Sequence, residues 1–278
     1  MFAVHPVAVE PVTWVAGREE LLMTLGALGC IHFHLTFRRL EAAGGRAGPR
    51  LAAQAAAVLC CLAACLSNAV AAVIPLLIVA WDAIILERPK LRRILTGTWG
   101  LWLLGVATIV VKRLGEVEHY VDYPRGLSGD WLATVLSVYW LNLKTLAWPT
   151  GLTVYYAPPN PPGFFDPQAL LGAAAVGLTV LGVWLLRRRA WILFGLTWFL
   201  LALGPTSQIM PHHIDRADRF LYLPLIGLAV AMAVASGPLA RTWKGRLPLA
   251  GVIAAGIVLL SVMATMSARQ VRTWRTSI

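Results

Sequence analysis

The sequence predicts an all-α fold: a polytopic membrane helix bundle with about eight spanning helices plus one re-entrant or interfacial segment. Three observations carry that reading. The chain is 58% hydrophobic and only 13% charged, with a mean hydropathy of +0.70, whereas soluble domains carry about a quarter of their residues as charges. Apolar runs of bilayer length recur from end to end. The basic residues fall in short clusters between those runs and not along one soluble face, so the net charge of +11 reflects membrane topology and implies no nucleic-acid partner.

The runs lie at roughly 19–37, 51–66, 69–86, 94–111, 167–186, 190–208, 219–236 and 247–267. Residues 2–22 lead into the first and place His5, Glu10 and Arg18 at the threshold of the membrane, where a polar group is costly unless it is paired or engaged with something polar. Pro6 and Pro11 read as an extended entry, and Trp14 as an anchor at headgroup level. Glu10 and Arg18 either pair with each other across that entry or serve a polar ligand. Glu19 and Glu20 suit a helix N-terminus. His32 and His34, two residues apart within a span, face different sides of a helix, so at least one meets protein. Residues 51–86 as one helix would be far longer than a bilayer is thick, and Ser67 and Asn68 are the natural break. Each half is then short enough to call for tilt or local thinning. Cys30, Cys60, Cys61 and Cys65 lie in apolar runs without paired metal-ligand spacing and read as small buried hydrophobes.

Residues 131–148 are a ninth apolar run, but as a span they would move every later basic loop to the other side. They are therefore placed re-entrant or in the interface, with Trp131, Tyr139, Trp140, Lys144 and Trp148 as anchors. Proline-rich residues 158–163 read as an extended spacer. Four basic clusters then share the cytoplasmic side: Arg38, Arg39, Arg46 and Arg50; Arg88, Lys90, Arg92 and Arg93; Arg187, Arg188 and Arg189; Arg241, Lys244 and Arg246. Residues 1–18, 67–68, 112–166 and 209–218 share the outer side together with all the polar motifs; Arg269, Arg272 and Arg275 are the exception to the charge bias. With 20 Arg against 4 Lys, the clusters also suit lipid phosphates, which a guanidinium grips in a bidentate way.

Four segments in order carry a family resemblance. His5-Pro6, Glu10, Trp14 and Gly17-Arg18-Glu19 followed by Leu21-Leu22 come first; Ser67-Asn68-Ala69 second; residues 205–209 with Asp218-Arg219 and Tyr222-Leu223-Pro224 third; residues 269–274 last. Together they resemble bacterial relatives of the transmembrane and tetratricopeptide-repeat (TMTC-type) O-mannosyltransferases, of the GT-C glycosyltransferase class. The resemblance spans nearly the whole chain, and only the ordered combination is specific. At Asn68 and Ala69 the chain departs from the Ser-Lys-Glu usual in the family.

The resemblance implies a GT-C-like membrane domain over residues 1–267, N-terminally incomplete, and a junction at 268–278 leading to an outer repeat domain. It implies transfer of a mannose-like sugar from a polyprenyl-phosphate lipid to a hydroxyl of an acceptor protein or glycan, outside the bacterial cytoplasmic membrane. The family's base is an acidic residue ahead of the His-Pro motif, so residues 1–278 alone are expected to bind lipid weakly without turnover. The substrate-binding candidates are His5, Glu10, Arg18, Asp218, Arg219 and Tyr222, with Arg18 and Arg219 the cations for lipid phosphate. The structural alternative pairs Arg18 with Glu10 and Arg219 with Asp218 or Asp215. His212, His213 and Asp215 form a possible metal cluster, but adjacent histidines point differently on regular structure, and they read as solvated loop residues with no cofactor assigned. Two other functions fit the composition: a non-catalytic anchor of the same fold, which the loss of Lys and Glu at Asn68 and Ala69 favours, and a transporter, for which polar residues midway along the spans would be needed.

Overall fold

The structure, a computed structural model, describes residues 1–86, 91–117, 129–156, 163–209, 214, 216–242 and 249–274. It divides into two units, Met1–Gly17 with Arg125–Ile278, and Arg18–Pro124. No strand occurs among the described residues. The described residues form ten α-helices: α1 Val9–Thr13, α2 Arg18–Ala42, α3 Ala47–Ser67, α4 Ile74–Ile84, α5 Leu91–Val117, α6 Gly129–Ala147, α7 Pro167–Leu186, α8 Ala190–Leu203, α9 Tyr222–Thr242 and α10 Leu249–Trp274.

Among the described residues five stretches are long and apolar enough to cross a membrane: Arg18–Ala42, Ala47–Ser67, Pro167–Leu186, Asp218–Ser236 and Ala254–Trp274. Two shorter apolar stretches, Ala69–Ile84 and Ala190–Thr206, begin or end in 3-10 turns. The protein is a helical membrane protein. On α7, Leu178, Val180, Leu181, Trp184 and Leu185 are exposed, a surface that only lipid solvates without cost.

In the 18–124 unit, α2 and α3 pack as a hairpin. The turn closes with Gly44 at φ +64 and the Gly45 amide donating to the Leu40 carbonyl at 2.9 Å, the left-handed helix end that glycine allows. Met23, Ala27 and Cys30 on α2 meet Ala57, Cys61 and Ala64 on α3, all nearly or fully buried. The four cysteines are free thiols; Cys30 and Cys61 are buried, Cys60 and Cys65 half-buried. Helix α3 stops at Ser67 because Asn68 is extended, at φ −154 and ψ 137, and its side chain then accepts from the Val70 amide at 2.9 Å to start the 3-10 turn Ala69–Val73.

The other unit opens with two 3-10 turns and α1 in place of the extended entry expected from Pro6 and Pro11. Pro6 takes the first position of the turn Pro6–Ala8, where its missing N–H costs nothing, and the His5 ring caps that turn. Helix α6 is one continuous 19-residue helix, roughly 28 Å long, so residues 131–148 do not double back as a re-entrant segment. Two of their proposed anchors turn inward: the Trp131 indole donates to the Gln208 carbonyl at 2.8 Å, and the Tyr139 hydroxyl pairs with Thr179 on α7 at 2.7 Å. Trp148 remains exposed. Val7, Tyr139, Leu146, Ala175, Phe199, Leu203, Leu221 and Leu225 form the core. Helix α10 continues through Arg269 and Arg272 to Trp274, so the expected junction is helical that far; residues 275–278 lie outside the described residues. So do residues 157–162 of the expected spacer, Arg88 and Lys90, and Lys244 and Arg246.

Helices α8 and α9 cross on bare backbone. A Cβ added to Gly195 would lie 2.5 Å from the Gly227 carbonyl oxygen, and one added to Gly227 would lie 2.5 Å from that of Gly195. Contacts this close are what small residues permit between membrane helices. Gly195→Ala and Gly227→Ala are therefore expected each to cost on the order of 1–3 kcal/mol through forced separation of the pair. Gly177→Ala, with nothing within 4 Å of the new methyl, is expected to cost nothing. Thermal unfolding in micelles reads the difference, and equal midpoints for all three would refute the crossing.

Candidate functional site

The polar centre of the Met1–Gly17 and Arg125–Ile278 unit is built where residues 216–219 enter α9. Ala217 is extended, at φ −149 and ψ 151, and Asp218–Leu221 then form a 3-10 turn. The first amides of such a turn lack partners within it. Glu10 supplies one, accepting from the Arg219 amide at 3.0 Å through one carboxylate oxygen and from the Arg219 guanidinium at 2.7 Å through the other. The same guanidinium donates to the Val154 carbonyl at 3.3 Å and sits 5.1 Å from the ring centres of both Trp14 and Phe220. Glu10 is 2% exposed and Arg219 6%. Burial pushes the Glu10 carboxyl above its ordinary value, against the hydrogen bonds and charge of Arg219.

A second chain of contacts runs beside the first. Tyr156 donates its hydroxyl to Asp218 at 2.6 Å, and its ring lies 3.8 Å from the Arg216 guanidinium carbon. Arg216 in turn bonds the Thr145 hydroxyl on α6. Burial and the adjoining Asp218 carboxylate push the Tyr156 phenol up, so it stays a proton donor to that carboxylate at neutral pH. The cluster thus holds two guanidiniums and two carboxylates, all at least nine-tenths buried. Thr134, Ser137, Asn142 and Thr145 add a buried polar stripe along α6, in which the Ser137 hydroxyl and the Asn142 carbonyl oxygen have no hydrogen-bond partner among the described residues. Gln208 is held at φ +62, a left-handed geometry rare for a side chain of its kind, and its amide donates to the Ile214 carbonyl at 3.1 Å.

Of the residues singled out in the sequence, Glu10, Asp218 and Arg219 are brought together. Arg219 pairs with Glu10 and not with Asp218, while Asp215, its other expected partner, lies outside the described residues. Arg18 opens α2 in the other unit, exposed and without an ion pair among the described residues. His5 spends both ring nitrogens on the chain. Its Nδ1 accepts from the Val7 amide at 3.3 Å, which leaves Nε2 to donate to the Leu146 carbonyl at 3.0 Å, one of the last carbonyls of α6. Burial lowers its pKa and keeps it neutral. His5 is a latch and has no nitrogen left for a ligand. Tyr222 packs on Phe2 with ring centres 5.1 Å apart. His212, His213 and Asp215 lie outside the described residues, among which no group of three or more His, Cys, Asp or Glu is arranged to hold a metal.

Sequence reasoning missed Tyr156, Arg216 and Thr145. The spacing of Arg216 and Arg219, three apart and flanked by acids, was the available signal; nothing marks Tyr156 or Thr145. It also missed Asp82 of the 18–124 unit and, although Glu20 does stand in the first turn of α2 as expected, the burial of that acid. Asp82 takes Arg38 at 2.5 and 3.1 Å and His34 at 3.1 Å, so Arg38 is buried inside α2 and not a loop cation; His34 is the inward histidine of its pair, and His32 is exposed. Glu20 accepts from the Asn68 amide at 3.1 Å and is 2% exposed, unlike Glu19 beside it. An acid within an apolar run, as Asp82 is, signals by itself that a partner faces it.

Comparison with protein-family models, curated proteins and solved structures finds no match.

Glu10→Ala is expected to destabilise the chain by about 3–5 kcal/mol, because it strands a buried guanidinium. Glu10→Leu combined with Arg219→Met should recover part of this, the remaining loss of about 1–3 kcal/mol being the uncapped residue-219 amide. A Glu10→Ala loss below about 1 kcal/mol in denaturant titration would show that the pair is solvated.

Proposed function

We propose that the chain is the membrane domain of a GT-C-like glycosyltransferase that takes a mannose-like sugar from a polyprenyl-phosphate lipid and delivers it to a hydroxyl of an acceptor protein or glycan. One observation carries the reading: Arg216, Asp218, Arg219 and Glu10 are gathered at the first position of the candidate span Asp218–Ser236, the depth at which a lipid phosphate meets the bilayer surface. The reaction needs cations for the phosphate that leaves and a carboxylate for the acceptor hydroxyl. Arg216, stacked on Tyr156 and hydrogen-bonded to Thr145, is the cation we assign to the phosphate, since Arg219 is committed to Glu10 and Val154. Asp218, whose side-chain donor is the Tyr156 hydroxyl, is the carboxylate an acceptor hydroxyl would approach by replacing that phenol. His5 and Tyr222 serve as positioning residues of the same unit.

The proposal includes about eight spans, in which the stretches Ala69–Ile84 and Ala190–Thr206 and helix α5 complete crossings, with the polar cluster facing outward. A cysteine placed at Arg188 in a cysteine-free background is expected to react with impermeant reagent only from the cytoplasmic side. Labelling only from outside would mean that α6 crosses the membrane and the later loops change sides.

A second reading, a non-catalytic anchor, has one observation in its favour: Glu10 and Arg219 satisfy each other without any ligand. The chain reconstituted in liposomes with polyprenyl-phosphate mannose separates the two. Arg216→Gln is expected to weaken lipid binding roughly tenfold, the scale of one charge-assisted hydrogen bond. Any sugar release should fall by about 100-fold or more in Asp218→Asn. Absence of both lipid binding and sugar release would leave the anchor.

A further inference from the structure

The 18–124 unit has a cavity of its own, with both charged and apolar lining, at the closed end of the α2–α3 hairpin. It measures about 350 Å³ and is lined on the α2 side by Phe37, Arg38 and Glu41 and on the α3 side by Ala47, Arg50, Leu51 and Gln54. Positions 47, 50, 51 and 54 recur at helical spacing, so one face of the first two turns of α3 forms a wall. Gly97 on α5 forms another, and a Cβ there would lie 3.1 Å from the Arg38 guanidinium.

The charges around the cavity are held unequally. Arg38 is committed: it donates to Asp82 and to Glu41, the latter at 3.1 Å. Arg50 lies 3.9 Å from Glu41 at the second carboxylate oxygen, a distance for charge attraction and not for a hydrogen bond, and its buried Nε has no hydrogen-bond partner among the described residues. A buried guanidinium N–H without an acceptor is rare and costly in a finished structure. Helix α3 begins without a side-chain cap, so its first amides and the positive end of its dipole add to the same place. Arg38, Arg39, Arg46 and Arg50 outnumber the carboxylates Glu41 and Asp82, so the surroundings of the cavity are cationic. An anion is the complement. Leu51, Leu59, Leu62 and Leu66 continue from the cavity along α3 as exposed apolar side chains, a track for an acyl chain.

We infer that this cavity binds a phosphate-bearing anion, the phosphodiester of an anionic glycerophospholipid or free phosphate, through Arg50 with Gln54 as neighbour. Glu41 stays in the wall as the carboxylate that orients both arginines. The site is independent of the Glu10–Arg219 cluster and lies in the other unit.

The test is a titration of phosphatidylglycerol into the whole chain in zwitterionic micelles, with bound lipid counted by native mass spectrometry, and a parallel titration of inorganic phosphate. Arg50→Gln is expected to weaken binding roughly tenfold and Arg50→Lys, which keeps charge but not the Nε–H, to fall between. Arg39→Gln, an exposed cation of the same cluster that does not line the cavity, should change binding by about twofold or less. Circular dichroism of each variant in the zwitterionic micelles confirms that it is folded. Binding of phosphatidylglycerol but not of phosphate assigns the site to lipid; competition between the two at the same Arg50-dependent site assigns it to phosphate from either source. Equal losses in Arg39→Gln and Arg50→Gln would reduce the effect to general surface charge and overturn the site, as would a Kd for both ligands that ignores Arg50.

Discussion

The Glu10–Arg219 contact is the constraint on which the larger unit depends. A carboxylate at 2% exposure and a guanidinium at 6% are each prohibitive alone in an apolar interior, and together they are tolerable only because the geometry is complete. Glu10 satisfies a turn amide as well as the guanidinium, and Arg219 reaches a carbonyl and two aromatic rings besides. Two segments 209 residues apart in sequence are thereby held in one register. The neighbouring contacts follow the same logic. Ser267 on α10 donates to the Val4 carbonyl at 2.9 Å, Gln270 to that of Leu152 at 3.3 Å, and the His5 ring to that of Leu146, so the N-terminal turns are tied in by side chains that meet otherwise orphaned backbone oxygens.

The smaller unit solves the same problem with different residues. Asp82 sits fully buried on a short apolar helix, and it survives there because Arg38 and His34, one turn apart on α2, both face it. Near the other end of α2 the buried Glu20 accepts from the Asn68 side-chain amide. In each unit, then, polar groups are paired across helices at low exposure. The difference lies in what is left over. In the larger unit the Ser137 hydroxyl, the Asn142 carbonyl oxygen and the Trp274 indole lack hydrogen-bond partners among the described residues; in the smaller the Thr24 hydroxyl and the Arg50 Nε do.

Helix packing depends on a second, plainer device. Gly195 against Gly227, and Gly172 against the Leu136 carbonyl, let backbones approach to distances that any side chain would prevent. Gly26 on α2 does the same against the Cys60 carbonyl and Ala64 of α3. Without a hydrophobic driving force between helices in lipid, such contacts supply much of the attraction that van der Waals packing can give.

The helical membrane class was legible because hydropathy and run length are local properties: each apolar run had to bury its backbone polar groups in a helix, wherever its neighbours lay. The break at Asn68 was legible for the same reason, since a short polar residue offers its own amide neighbour a hydrogen bond. Glu10 and Arg219 stood out as charges at apolar borders. Their pairing did not, because Arg18 was the nearer cation in sequence and nothing local distinguishes it from one two hundred residues away. The straightness of α6 was hidden too: its aromatics suit an interface by composition, and only the inward hydrogen bonds of Trp131 and Tyr139 assign them to the interior. Composition determined which segments are helical and which polar residues needed partners. Only tertiary structure decided who the partners are, because a buried charge specifies the sign and distance of its complement but not its address in the chain.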